Sequence, residues 1–125
     1  MTFVVAEIGV NWNGNFKLVQ EMIENAKKAG CNAVKFQSFN ESIVKEHPDK
    51  ELLLKTSISK DNIDEIDGIA KKAGIEWFST PMYPEAVTLL NPYVSKYKIR
   101  NFDGEQLVKN HTSEIIKKVL DTGDR

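Results

Sequence analysis

Apolar residues along the chain switch between strand-like runs and helix-like spacing. Residues 2–8 form an apolar run with β-branched side chains and predict a first strand, and a loop rich in Asn and Gly follows at 11–15. Residues 16–29 carry apolar positions at helical spacing and predict a helix. The same criteria predict, in chain order, a strand at 31–37, a short helix at 50–55, a helix at 59–73 with Ser59 as its N-cap, a strand at 75–80, a short helix at 84–90, a strand at 94–99 and a helix over most of 104–120.

A short repeat marks two of the joints between these elements. The segment AKKAG at 26–30 recurs at 70–74, 44 residues later, and each copy stands directly before a predicted strand. Lysines in a last helical turn followed by glycine are typical of a helix C-terminus. The repeat therefore predicts β/α units with parallel strands and right-handed crossovers, and leaves a closed barrel and an open sheet as alternatives.

Length and composition narrow the class of protein. The 125 residues suit one α/β domain, and lysines followed by Gly123 mark the point where a fifth strand should begin, so we expect a truncated α/β protein. A net charge of -1 provides no basic field for nucleic acid. The first apolar run is too short to span a membrane, no secretory signal is evident, and the single cysteine, Cys31, excludes an intramolecular disulfide. We expect a cytoplasmic protein with neither nucleic-acid nor membrane partners.

Polar side chains gather near the carboxyl ends of the predicted strands, where α/β proteins place their chemistry. Cations beside a carboxylate suit the binding of a small anionic substrate and acid/base chemistry. Any single polar residue at a strand end could instead be a solvated side chain at the rim of the protein. Alternation places Lys35 and Gln37 on one face of their strand. The residues are Glu7 on the first strand, Lys35 and Gln37 on the second, Ser79 and Thr80 on the third, and Lys98 and Arg100 on the fourth.

Four segments resemble the sialic acid synthase (N-acetylneuraminate synthase) family. AEIGVNWNG at 6–14 is similar to the family's first-strand signature AEIGxNHxG, and AVKFQ at 33–37 to its second-strand segment. FSTP at 78–81 resembles the third-strand STPF segment, and Lys98-Ile99 the start of the fourth-strand KIxSGE segment. The matches occur in family order and cover nearly the whole chain.

The resemblance implies a fold and a reaction. Members are (β/α)8 barrels that work as homodimers, so 1–125 would be the N-terminal part, about half, of a TIM barrel. They condense phosphoenolpyruvate with N-acetylmannosamine or a related amino sugar, giving a nonulosonic acid and phosphate. C3 of phosphoenolpyruvate attacks the sugar aldehyde, water adds at C2, and phosphate leaves. A divalent metal, Mn²⁺ or Mg²⁺, polarises the aldehyde; its histidine ligands belong to the second half of the barrel.

Site residues follow from the resemblance position by position. Glu7 matches the catalytic carboxylate, whereas Lys35, Thr80 and Lys98 match groups that hold phosphoenolpyruvate. Gln37 matches a group near the sugar. Asn11, in the first-strand signature, is a further candidate for substrate binding.

Several positions depart from the family pattern. Trp12 stands where the family has histidine, either stacking on a substrate or covering the rim. Asn101 and Asp103 stand at the Ser and Glu positions of SGE and are candidate substrate-binding residues. These changes suggest a different acceptor sugar or a divergent subfamily, and we expect the fragment itself to lack the full activity.

Two other functions remain open at this point. One is a non-catalytic binding or assembly half-barrel, and the other is a different phosphoenolpyruvate-dependent synthase of sugar keto acids. A half-barrel also exposes sheet edges and an apolar face. We therefore expect a homo-oligomer or a marginally stable chain.

Overall fold

The computed structural model describes residues 1–123 and contains a parallel three-stranded sheet flanked by helices. The strand order is β1-β2-β3, and the register pairs Glu7 with Lys35 and Gln37 with Thr80. The predicted α/β class with parallel strands is confirmed. The elements are β1 (Val5–Glu7), α1 (Phe16–Lys28), β2 (Ala33–Ser38), α2 (Glu41–Val44), α3 (Lys50–Thr56), α4 (Ile63–Ala73), β3 (Glu76–Pro81), α5 (Pro84–Leu90), α6 (Asn101–Val108) and α7 (Glu114–Leu120).

The two AKKAG segments end helices as predicted. Helix α1 begins at an Asn15 cap, whose side-chain oxygen accepts hydrogen bonds from the backbone N–H groups of Lys17 and Leu18. Gly30 follows its last turn at a φ of 90°, and Gly74 caps α4 at a φ of 74°. Both values lie in the left-handed region that glycine adopts without strain.

The core lies between the sheet and the pair α1 and α4. The face of the sheet that carries Val34 and Phe36 packs against these helices. Its buried apolar residues include Trp12, Val19, Ile23, Val34, Phe36, Ile66, Ala70 and Trp77. The opposite face carries the charged residues Glu7 and Lys35. One face of the sheet therefore forms the core, and the other carries the candidate site residues.

The start of α4 differs from its prediction. The helix begins at Ile63 rather than at Ser59, which lies in a preceding turn. The capping contacts nevertheless exist in that turn: the Asp61 N–H donates to Ser59 Oγ at 3.3 Å, and the Ser59 N–H donates to Asn62 Oδ1 at 2.9 Å. Ser59 and Asn62 thus make capping contacts before the regular helix begins.

The first strand is shorter than the predicted 2–8. The Val4 N–H donates to the Asn32 side chain at 2.7 Å instead of joining the strand ladder, and β1 therefore begins at Val5.

Within residues 1–123, no helix combines the length and the apolar character needed to cross a membrane.

The predicted strand at 94–99 is wrong, because that part of the described chain has no regular secondary structure. It does run beside β3, since the Lys98 N–H donates to the Ser79 carbonyl at 3.2 Å. Side chains also hold it in place: Val94 is buried, and the Tyr97 hydroxyl donates to Asn91 Oδ1 at 3.0 Å. A strand needs a continued ladder, and no further strand lies beyond this segment in residues 1–123.

The predicted single helix at 104–120 is also wrong, because the segment forms two helices, α6 and α7. Asn110 adopts a φ of 61°, which ends the first helix in the left-handed region. Ser113 then caps the second, its Oγ accepting from the Ile116 N–H at 3.3 Å. The polar run at 109–113 favours such local side-chain bonds over continued helix.

Replacing Gly68 with alanine should raise the free energy of unfolding by about 0.5–1 kcal/mol. Gly68 is exposed inside α4, and a methyl group there would meet no atom within 4 Å. Gly74→Ala is the matched control, because its surroundings are equally open but its φ of 74° disfavours alanine. Urea unfolding should show opposite signs for the two variants, and an equal sign would contradict the argument.

Candidate active site

Three of the predicted site residues meet at the carboxyl ends of the three strands. Lys35 Nζ forms an ion pair with Glu7 Oε2 and donates a hydrogen bond to Thr80 Oγ1 at 3.3 Å. We call these residues the Glu7–Lys35–Thr80 cluster. The Lys35 side chain is 16% exposed and the Glu7 side chain 45%, so the cation is shielded while the carboxylate reaches solvent. A shielded ammonium group interacts more strongly with an anion than one in bulk water.

Strand alternation decides which neighbours share this face. Gln37 is half-buried and lies on the same face of β2 as Lys35, as predicted. Ser79 faces the opposite side, where its hydroxyl lies 2.7 Å from that of Ser38 in a buried pair. The cluster therefore gains Thr80 but not Ser79 from β3.

Lys98 and Asn11 are placed near the strand ends by their backbones. The Lys98 N–H is bonded to the carbonyl of Ser79, the residue before Thr80, and its side chain is exposed. Asn11 lies in the loop after β1, where its N–H donates to the Ile8 carbonyl at 3.0 Å and its side chain is exposed. Both side chains are thus accessible to a ligand.

Asn101 and Asp103 lie on α6, not at the end of a fourth strand. Asn101 Nδ2 donates to Glu105 Oε1 at 2.9 Å on the helix surface. Asp103 is 4% exposed, and its two carboxylate oxygens accept from Arg100 Nε at 2.5 Å and from Ser113 Oγ at 3.0 Å. The expected position of Arg100 near the carboxyl end of a fourth strand is wrong, because Arg100 is the N-cap residue of α6.

Trp12 lies in the core rather than at the rim. Its side chain is 0% exposed and packs against Phe16 and edge-on against Phe36, with ring centroids 5.8 and 6.5 Å away. Stacking of Trp12 on a substrate is therefore wrong for this structure. Its indole Nε1 has no hydrogen-bond partner among the described residues.

A second charged group at the opposite end of β3 was not predicted. Glu76 is the first residue of that strand and contacts both Lys96 Nζ and Ser95 Oγ. Burial alone would raise its pKa, but the hydrogen bonds from Lys96 and Ser95 and the charge of Lys96 lower the pKa overall. Lys96 also lies 5.0 Å from the centre of the Phe3 ring. These contacts tie the chain start and the 94–99 segment to β3.

A cleft of about 280 Å³ opens beside α6 and the start of α7. Arg100, Phe102 and Tyr83 are among its lining residues. Burial and the neighbouring Glu85 carboxylate raise the pKa of Tyr83, so its hydroxyl stays protonated at neutral pH. The residues of the Glu7–Lys35–Thr80 cluster do not line this cleft.

The metal implied by the resemblance was tested against the side chains present. In the part of the chain that the structure describes, no three His, Cys, Asp or Glu side chains come together to hold a metal ion. The described side chains therefore do not fit that role.

Comparison with known proteins decides the family. The NeuB family model matches residues 22–123. The chain belongs to the NeuB family. The match includes Lys35, Gln37, Thr80 and Lys98, and it starts after β1 and Glu7.

Those relatives of this NeuB family chain whose names state an activity are synthases of sugar acids such as N,N'-diacetyllegionaminic acid and pseudaminic acid. It is 36% identical over 105 residues to an uncharacterized protein of Methanocaldococcus jannaschii, covering 82% of this chain and 31% of the relative. It is 31% identical over 104 residues to an N,N'-diacetyllegionaminic acid synthase of Legionella pneumophila, covering 70% of this chain and 29% of that enzyme. The chain thus spans about a third of the length of each of these two relatives.

The fold is shared with a solved NeuB-type enzyme. The crystal structure of N-acetylneuraminic acid (sialic acid) synthetase from Leptospira borgpetersenii, in complex with citrate, superposes with a TM-score of 0.80 at 26% identity. The alignment covers 96% of this chain and 41% of that one. The parallel β/α units of this chain therefore correspond to part of a TIM-barrel synthase, as predicted.

Proposed function

We propose that this chain provides the phosphoenolpyruvate-binding part of a nonulosonic acid synthase, which condenses phosphoenolpyruvate with N-acetylmannosamine or a related amino sugar. The observation that carries the proposal is the Glu7–Lys35–Thr80 cluster, in which a shielded ammonium group stands beside a hydroxyl and a carboxylate. Membership of the NeuB family supports the general activity of a sugar acid synthase.

In this proposal the cations hold the phosphoenolpyruvate anion. Lys35 is already fixed by contacts to β1 and β3, so little side-chain entropy is lost when it binds a phosphate or carboxylate oxygen. Thr80, a residue that is 4% exposed, adds a neutral hydroxyl donor, and the accessible Lys98 adds a second positive charge. Together Lys35 and Lys98 outweigh the single charge of Glu7.

Glu7 is the acid/base group of the proposal. Its carboxylate is exposed enough to reach a substrate and is held by Lys35, so its orientation is defined before substrate arrives. It can take a proton from the water that adds at C2 of phosphoenolpyruvate and return one to the leaving phosphate.

The acceptor sugar is placed next to Gln37, on the face shared with Lys35. Its amide can donate to and accept from sugar hydroxyls. Asn11, Asn101 and Asp103 remain predicted contacts, and a sugar that binds the Asp103 carboxylate would have to displace Arg100 or Ser113. The cytoplasmic location and the assembly into a homo-oligomer remain predictions.

Titration calorimetry with phosphoenolpyruvate tests the proposal on the 125-residue chain. Lys35→Ala should weaken binding at least about tenfold, because it removes a charge-assisted hydrogen-bond partner. Glu7→Gln should not weaken binding, since it removes a carboxylate next to the bound anion. Lys28→Ala, an exposed lysine at the end of α1, is the matched control and should bind as the native chain does.

Two outcomes would contradict the proposal. One is that the native chain binds phosphoenolpyruvate no better than the Lys35→Ala variant does. The other is that Lys28→Ala weakens binding as much as Lys35→Ala, which would mean that only net charge matters.

A further inference from the structure

We propose that Gly9 is a positioning residue that reserves the space occupied by the Glu7 carboxylate and so keeps this group on Lys35. The inference rests on the proposed function only in regarding Glu7 as a working carboxylate. The ion pair itself can be measured without any substrate.

The first observation is a close approach between Gly9 and Glu7. A methyl group added at the Gly9 Cα would lie 2.9 Å from Oε1 of Glu7 and 3.7 Å from its carboxyl carbon. A carbon and an oxygen atom that are not bonded cannot stay at 2.9 Å without one of them moving. The contacted oxygen belongs to the same carboxylate whose Oε2 pairs with Lys35.

The second observation is that two hydrogen bonds anchor the backbone at Gly9. The N–H groups of Ile8 and Gly9 both donate to the carbonyl of Lys35, at 3.0 and 3.1 Å. Gly9 is buried and has a φ of 54°, in the left-handed region. The main chain therefore bends directly over the residue whose side chain holds Glu7.

These two observations determine which part gives way when a side chain is added at Gly9. The backbone is held by two hydrogen bonds to Lys35, whereas the carboxylate is the far end of a flexible side chain. The carboxylate moves off Lys35, and the fold remains. The absence of a side chain at Gly9 is thus a requirement of the ion pair.

Gly14 provides a matched control in the same loop. It has a φ of 74°, and a methyl group there would meet the Lys55 side chain and carbonyl at 3.2 and 3.3 Å. Gly14→Ala therefore introduces the same backbone strain and a tight contact, but none with Glu7. The two variants separate general loop strain from displacement of the carboxylate.

The readout is the side-chain ammonium signal of Lys35 in ¹H–¹⁵N spectra. Because Glu7 and Thr80 hold this group, its protons should exchange slowly with water in the native chain. In Gly9→Ala exchange should accelerate about tenfold, the factor expected for losing one charge-assisted hydrogen bond, and should match that in Glu7→Gln. Gly14→Ala should exchange like the native chain. All variants are made in the Gly68→Ala background, and the fluorescence of the buried Trp12 and Trp77 verifies folding.

A double-mutant cycle tests whether Gly9→Ala acts through the Glu7 carboxylate. In the Glu7→Asp background the carboxylate is one methylene shorter and withdraws from position 9, so adding Gly9→Ala should leave the exchange rate unchanged. Native exchange in Gly9→Ala would overturn the proposal, and so would equal acceleration in Gly14→Ala or an undiminished effect in the Asp background. If the native chain fails to bind phosphoenolpyruvate while the cycle behaves as expected, the proposed function fails and the positioning role stands.

Discussion

Replacing Trp12 by alanine should lower the free energy of unfolding by about 3–5 kcal/mol. The side chain is 0% exposed and joins Phe16 and Phe36 in an aromatic cluster between α1 and β2. Its removal leaves a cavity that the surrounding strand and helix cannot close, because interiors are packed as densely as organic crystals. The aromatic contacts contribute further to the loss.

The matched variant Trp12→Phe should lose far less stability. Phenylalanine retains most of the apolar contacts and removes the indole N–H, which has no partner among the described residues. An unsatisfied buried donor costs about 1–3 kcal/mol. Removing this donor offsets part of the stability lost with the smaller side chain. Urea unfolding measures both variants, and similar losses for alanine and phenylalanine would contradict the packing described for Trp12.

Replacing Asp67 by alanine should lower the free energy of unfolding by about 2 kcal/mol. Asp67 is buried on α4 and accepts a hydrogen bond from Trp77 Nε1 of β3 at 2.9 Å. Trp77 is itself buried, so alanine at 67 removes the hydrogen-bond partner of a buried indole N–H. The bond thus fixes α4 against the sheet.

Two variants separate this hydrogen bond from the ion pair that Asp67 also forms with Lys71. Asp67→Asn keeps an oxygen acceptor for Trp77 and should lose less stability than Asp67→Ala. Lys71→Ala removes the exposed cation and should change stability by less than about 0.5 kcal/mol. Urea unfolding of the three variants decides the matter, and a loss in Lys71→Ala as large as in Asp67→Ala would assign the effect to the ion pair instead.

The part of the site that follows strand register could be predicted from sequence. Period-two alternation placed Lys35 on the face opposite Phe36, and the parallel arrangement of the strands brought Glu7 and Thr80 to the same edge. These are local properties, since each strand's own pattern decides which side chains share a face. The two helix-ending AKKAG segments were predictable for the same reason.

The remainder depended on partners that are distant in sequence. Residues 94–99 have the composition of a strand but, in the described chain, form no ladder, and composition alone cannot reveal a missing partner. The sequence predicts that Trp12 lies in a loop, yet the fold of that loop buries the Trp12 side chain in the core. Asp103 reads as a strand-end carboxylate, and its burial follows from the break between α6 and α7, which brings Ser113 to it.

The main chain and the side chain of Lys35 perform two tasks at once. Its carbonyl accepts hydrogen bonds from the N–H groups of Ile8 and Gly9, at the bend that follows β1. Its ammonium group forms an ion pair with the Glu7 carboxylate. If β2 slipped by one residue against β1, Phe36 would replace Lys35 opposite Glu7, and the bend and the ion pair would be lost together. Misaligned chains would therefore lack the ion pair even if they were compact, so during refolding the appearance of the slowly exchanging Lys35 ammonium signal would time the correct alignment of the first two strands.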